Sequence, residues 1–149
     1  MKSFSTLVIV LTIYVLFTQT YVQSQEVEEP FPYESWKYLY EPNAAIMKSG
    51  AFDLISDRYQ IKKLHKHSHL YTSDELISFP GRQFIINKVT PYQKKYFKEF
   101  ITIEKANISI RNFPESVAFL RKRLRIKDGG NLFLFFTTIK GNKKIIVSC

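Results

Sequence analysis

The chain has 149 residues, 45% of them hydrophobic and 15% aromatic, and a formal net charge of +9. This length suits one domain or two very small ones sharing a core, and the apolar content excludes a disordered chain. The charge is uneven: residues 1–87 hold 8 Lys/Arg and 9 Asp/Glu, a balance of −1, whereas residues 88–149 hold 14 and 4, a balance of +10. An anionic partner is therefore expected on the C-terminal part. The one cysteine, Cys149, excludes an internal disulfide and, at a strand end with no base beside it, is a poor nucleophile candidate.

Residues 1–24 form a hydrophobic leader, with Lys2 ahead of the apolar run Leu7 to Phe17. That run is too short for a membrane span, which takes ~20 apolar residues. It suits the h-region of a signal peptide cut near Ser24, and its β-branched residues equally suit a remnant parallel strand. Both readings stand on sequence. Residues 25–37, acidic and containing Pro30 and Pro32, read as a linker. Glu41-Pro42-Asn43 is expected to open a helix through Met47, with Pro42 tolerated in its first turn. Gly50 allows a kink before a second apolar face of Phe52, Leu54, Ile55 and Tyr59. Residues 61–72 read as one extended segment, and Phe79-Pro80-Gly81 as a turn.

The basic part alternates more plainly. Arg82 to Val89 reads as a strand and Tyr92 to Phe100 as a helix, with Tyr92, Tyr96 and Phe100 on one side and Lys94, Lys95 and Lys98 on the other. Ala106 to Arg111 is a strand with Ile108 and Ile110 inward. Asn112 is expected to cap a helix, with Pro114 in its first turn and Glu115 in the capping-box position. Val117, Leu120 and Leu124 form its buried stripe, Arg121, Lys122 and Arg125 its basic flank, and Asp128-Gly129-Gly130 its stop. Asn131 to Ile139, a turn at Lys140-Gly141-Asn142, and Lys143 to Cys149 make a closing hairpin. Its first strand is apolar on both faces, so it is a central strand, or one that loses a covering layer when a partner domain is missing.

Little of this sequence suggests catalysis. His65, His67 and His69 alternate and on a strand would share a face, but with no cysteine nearby a solvated strand is the ordinary reading and no metal is expected. Asp53 and Asp57 read as surface charge around Arg58, and Ser73-Asp74 lacks a nucleophile-elbow pattern. None of the five glycines makes the Gly-x-Gly loop that a class I methyltransferase or dinucleotide fold places after its first strand. Lys94, Lys95, Lys98, Arg111, Arg121, Lys122, Arg125 and Lys127, with Lys140, Lys143 and Lys144 on the hairpin, could engage a phosphate backbone. A solvated helix face explains most lysine-rich helices, and phosphate contact is weighed only slightly above that reading.

Three blocks in one order carry a family resemblance. They are Tyr38 to Phe52, His69 to Leu76 followed by Phe79-Pro80-Gly81-Arg82, and the succession Asn112-Phe113-Pro114, Leu120 to Leu124, Asp128-Gly129-Gly130, Leu132-Phe133. Together they resemble the C-terminal ferredoxin-like and THUMP-like region of bacterial class I S-adenosylmethionine-dependent methyltransferases. The resemblance implies an α+β fold, with a small ferredoxin-like helical lead-in over 38–81 and a THUMP-like β-α-β-α-β-β layer over 82–149. It implies a non-catalytic substrate-docking module that binds RNA in the cytoplasm, with S-adenosylmethionine bound by full-length relatives rather than by this chain. The methyltransferase domain would be supplied separately. Two alternatives remain at this stage. One is a secreted basic binding protein with a cleaved leader, in which Asn107-Ile108-Ser109 could accept a glycan; the other is a gene fragment without function.

Overall fold

In a computed structural model of the chain, residues 36–149 are described. The leader over 1–24 and nearly all of the linker over 25–37 lie outside them. Elements follow in the order β1 (Tyr38–Pro42), α1 (Ala44–Ser49), α2 (Phe52–Tyr59), β2 (Lys62–Lys63), β3 (Tyr71–Ser73), β4 (Gly81–Ile85) and β5 (Lys88–Pro91). A 3₁₀ helix (Lys94–Phe100), β6 (Asn107–Arg111), α3 (Val117–Leu124), β7 (Phe133–Thr138) and β8 (Lys144–Ser148) complete the chain. The fold is α+β. The first sheet has the order β2-β3-β1-β4 and is antiparallel throughout; the second has the order β5-β8-β7-β6, with β6 and β7 parallel across α3.

Strand alternation decides the layers. Tyr40 and Tyr71, paired in register, face α2 and pack with Ile55, Ile61 and Phe79 on the outer side of the first sheet. Leu134, Phe136 and Ile146 face the outer side of the second, against Leu120 and Leu124 of α3 and Phe100 of the 3₁₀ helix. The opposite parity faces inward. Phe84 of β4 meets Phe133 and Phe135 of β7 with ring centroids 5.0 and 4.9 Å apart, and Phe135, Ile145 and Val147 are fully buried. Thus β7 is apolar on both faces because it is central in its sheet, one of the two expected positions, and because the first sheet covers its inner face.

Several boundaries differ from the sequence expectation, each for a local reason. Glu41 and Pro42 end β1 instead of opening a helix, and Asn43 caps α1 by accepting the Ile46 amide at 3.1 Å. Residues 61–72 are two short strands around a turn, closed by Leu64 N–H donating to Leu70 O at 2.9 Å and Ser68 N–H to His65 O at 3.1 Å. The expected strand from Arg82 to Val89 is two strands in different sheets. The change falls between two adjacent residues: Ile86 N–H donates to Lys37 O, and Asn87 N–H donates to Ser148 O, both at 2.8 Å.

The segment after Tyr92 winds as a 3₁₀ helix, whose three-residue period lines up Lys94, Phe97 and Phe100. Lys95 and Lys98 therefore share a line that Lys94 does not, contrary to the expected single lysine face. Asn112 does not cap α3. It takes a left-handed conformation (φ 51), and Ser116 caps instead, its hydroxyl accepting the Phe119 amide at 3.2 Å. Nor does the Gly pair stop α3: Arg125 does, at φ 58, its N–H bonded to Arg121 O. Gly129 (φ 100) and Gly130 (φ 84) form the following turn. Leu120 and Leu124 are buried as expected, while Val117 is half-buried.

Candidate nucleic-acid interface

The 3₁₀ helix and α3 lie side by side on the outer face of the second sheet, and Arg123 joins them. It donates to Tyr92 Oη at 3.1 Å and Glu115 Oε1 at 3.0 Å, and its guanidinium lies 4.8 Å from the Phe97 ring centroid. The Tyr92 hydroxyl in turn donates to the Glu115 carboxylate. Burial, then the Glu115 hydrogen bond, pushes the Tyr92 phenol up to about 12. Glu115, expected to serve the helix cap, thus belongs to a lateral network that sequence spacing did not reveal. Arg123 was missed among the candidate cations, although it is locked in place and not free to meet a ligand.

Arg121 lies two residues earlier, roughly 200° around the helix, so it turns to the other flank. There it donates to Ala106 O at 3.1 Å and pairs with Asp128. Arg111 pairs with Glu41, and Lys127 lies 3.5 Å from Glu104. Three of the eight candidates are therefore engaged by carboxylates, and the expected stripe across both helices is interrupted at Arg121. Lys94, Lys95, Lys98, Lys122 and Arg125 are exposed, and none of them is in an ion pair among the described residues.

A second cationic region lies where the first sheet meets the C-terminal ends of β6 and β7. The Ser68 hydroxyl donates to Thr138 O at 2.5 Å and accepts from Thr137 Oγ1 at 3.0 Å; all three residues are buried. Lys140 N–H donates to Leu64 O at 2.9 Å. Thr138 Oγ1 donates to Asn112 O at 2.6 Å, and the Asn112 amide nitrogen lies 3.0 Å from His65 Nδ1. These bonds frame a groove of about 870 Å³ whose polar lining includes His65, Lys66, His67, Asn112, Thr138 and Lys144.

The histidines do not form the shared face that their alternation suggested, because they occupy a turn and not a strand. His65 and His67 have ring centroids 5.5 Å apart, whereas His69, at φ 51, lies against the Phe52 ring at 3.7 Å. Burial, with the nearby positive charges of Lys63, His67 and Arg111, holds the His69 pKa below its ordinary value. Among the described residues no group of three metal-ligating side chains converges. Asp53 pairs with Lys63 at 3.0 Å. The Asn107 side-chain nitrogen, considered as a glycan acceptor, donates to Gly130 O at 2.7 Å within the fold.

The β6-to-α3 loop, where a parallel unit would cradle a cofactor, reads Asn112-Phe113-Pro114-Glu115-Ser116 and has no glycine. Gly130 closes a turn against Lys105, where an added Cβ would stand 3.4 Å from Lys105 Cβ. No helix among the described residues is long and apolar enough to cross a membrane.

Two antiparallel-dominated sheets, the second with a parallel β-α-β crossover, define the class of this protein, and family comparison agrees. Residues 38–80 match a ferredoxin-like domain and residues 81–149 a THUMP domain-like family, so the chain belongs with proteins that join these two domains. The second match begins at Gly81, although Gly81–Ile85 is hydrogen-bonded into the first sheet. A crystal structure from Porphyromonas gingivalis W83, of a "putative methyltransferase", superposes with a TM-score of 0.71 at 41% identity. The similarity covers 75% of this chain and 28% of that one, so the chain spans under a third of that protein. No curated protein matches the chain.

Proposed function

We propose that this chain is a non-catalytic RNA-docking module of a methyltransferase-family protein, acting in the cytoplasm. In this reading it holds the substrate RNA while a separately supplied domain transfers the methyl group. The observation that carries it is the set of five exposed cations on the outer helices of a THUMP-like domain, none paired with a carboxylate among the described residues. The kinship with a larger methyltransferase-type protein supplies the enzymatic context. The missing glycine cradle supports leaving S-adenosylmethionine to the other domain.

The test is a salt titration of structured-RNA binding by fluorescence anisotropy. Each phosphate contact contributes roughly 0.7–0.9 to the log–log slope. Lys95→Gln with Lys98→Gln removes two aligned charges and should flatten that slope by about 1–2 units without altering circular dichroism. Absence of RNA binding by the unaltered protein at low salt would sink the reading, as would micromolar S-adenosylmethionine binding by calorimetry.

A further inference from the structure

We propose that the groove between the His65–Ser68 turn and the C-terminal ends of β6 and β7 binds a single-stranded RNA segment. Lys66 and Lys144 would hold its phosphates, and His65 and His67 would face its bases. The inference rests on the RNA-docking reading and places the specific contact away from the helix cations.

Charge is the first argument. Two of the lining side chains, Lys66 and Lys144, carry positive charge, and none is a carboxylate. Lys66 and Lys144 are exposed, and neither has an acidic partner among the described residues. This contrasts with Arg111 and Arg121, whose charges are already answered within the fold.

Position is the second. Ligands of open sheets with parallel crossovers settle outside the C-terminal ends of the strands, where diverging loops leave a crevice. Here β6 and β7 are the parallel pair, and Asn112 and Thr138, just at their ends, line the groove. Its walls come from both sheets and are tied by the buried Ser68 hydroxyl, which accepts from Thr137 Oγ1 and donates to the Thr138 carbonyl, so little ordering is required on binding.

Chemistry is the third. The His67 backbone N–H donates to His65 Nδ1 at 3.1 Å, so that nitrogen is an acceptor. The neutral His65 ring then carries its proton on Nε2, leaving one defined donor on an aromatic plane. Unpaired bases are recognised by such planes together with edge hydrogen bonds, whereas a duplex is held from outside by its phosphates and needs no concavity.

The experiment compares the full chain with two double variants, Lys66→Gln/Lys144→Gln and Lys95→Gln/Lys98→Gln, using a labelled oligoadenylate hexamer and a blunt RNA duplex. The groove variant should lose about tenfold or more in hexamer affinity and about 1–1.5 units of salt slope, while its duplex binding changes little. Amide shifts of the unaltered protein on hexamer addition should centre on residues 65–67, 112–113 and 142–144, a readout independent of any variant. If the groove variant binds the hexamer within twofold of wild type, or the shifts gather on residues 94–98, the groove assignment falls and the RNA-docking reading survives. No binding of either RNA by the unaltered protein overturns both.

Discussion

Glu41, near the end of β1, holds Arg111, at the end of β6, across the boundary between the two sheets. The same carboxylate accepts Arg82 Nε of the neighbouring β4 at 2.7 Å, and Glu41 is only 4% exposed. A carboxylate this deep is sustained by paired, hydrogen-bonded charge. The pairing fixes one sheet against the other and withdraws Arg111 from the cations open to a ligand.

Glu41→Ala leaves two guanidinium groups without their carboxylate. Both are partly exposed, at 56% and 36% of their side chains, so water recovers part of the loss. We expect destabilisation of about 2 kcal/mol, below the ~3–5 for breaking a fully buried pair. Urea unfolding measures it, and a change under about 0.5 kcal/mol, no larger than an ordinary surface substitution, would mean the triad does not hold the sheets together.

Gly81 pairs with Pro42 in the β1–β4 ladder, and a Cβ there would stand 2.1 Å from the Glu41 carbonyl oxygen. That atom is backbone in a paired strand and cannot yield cheaply. Gly81→Ala should therefore cost more than about 3 kcal/mol, well above a typical single substitution. Gly129→Ala, with open space around it but φ 100, should cost about 1–2 kcal/mol from backbone strain alone. Equal thermal stability of the two variants would refute the steric argument.

The lowered His69 pKa sets a direction for pH dependence. As pH falls through about 6.5 the unfolded chain takes up a proton that the folded His69 resists, so stability drops until the folded value is reached. Stability from this group is thus complete above about 6.5 and lost toward acid. His69→Asn keeps a residue tolerant of φ 51 and removes the titration. The fall in urea midpoint between pH 7.5 and 5.5 should shrink in this variant. An unchanged fall would clear His69.

Cys149 is tied at both backbone groups to Phe133, each bond 2.9 Å, and burial pushes its thiol up to about 12. The thiolate is scarce at pH 8, so alkylation should be far slower in the native protein than after unfolding. Equal rates would show that the end of β8 is open in solution.

Much of the second sheet was legible in the chain itself. Alternating apolar residues in β6, the Leu120 and Leu124 stripe, the turn at Gly141 and the doubly apolar β7 are local patterns, and local periodicity reports burial directly. The boundaries that failed were settled by contacts outside the local window. Asn112, Pro114 and Glu115 have capping-box spacing, yet Glu115 is drawn to Tyr92 and Arg123, and Ser116 becomes the cap. Likewise an apolar run from Arg82 to Val89 says that the segment is extended, not that its halves bond to different sheets.

The sequence by itself determined the α+β class through its family resemblance, and the order of elements in the basic half and the location of the net charge through residue types and short-range spacing. Only the tertiary structure decided which cations remain open. Arg111 is neutralised by a carboxylate 70 residues away, and Arg121 by one beyond its own helix. It also assembled the groove from residues 65–67, 110–114 and 138–144. Ion pairs and crevices form between segments distant in the chain, and pairwise distance in space leaves no periodic mark in a sequence.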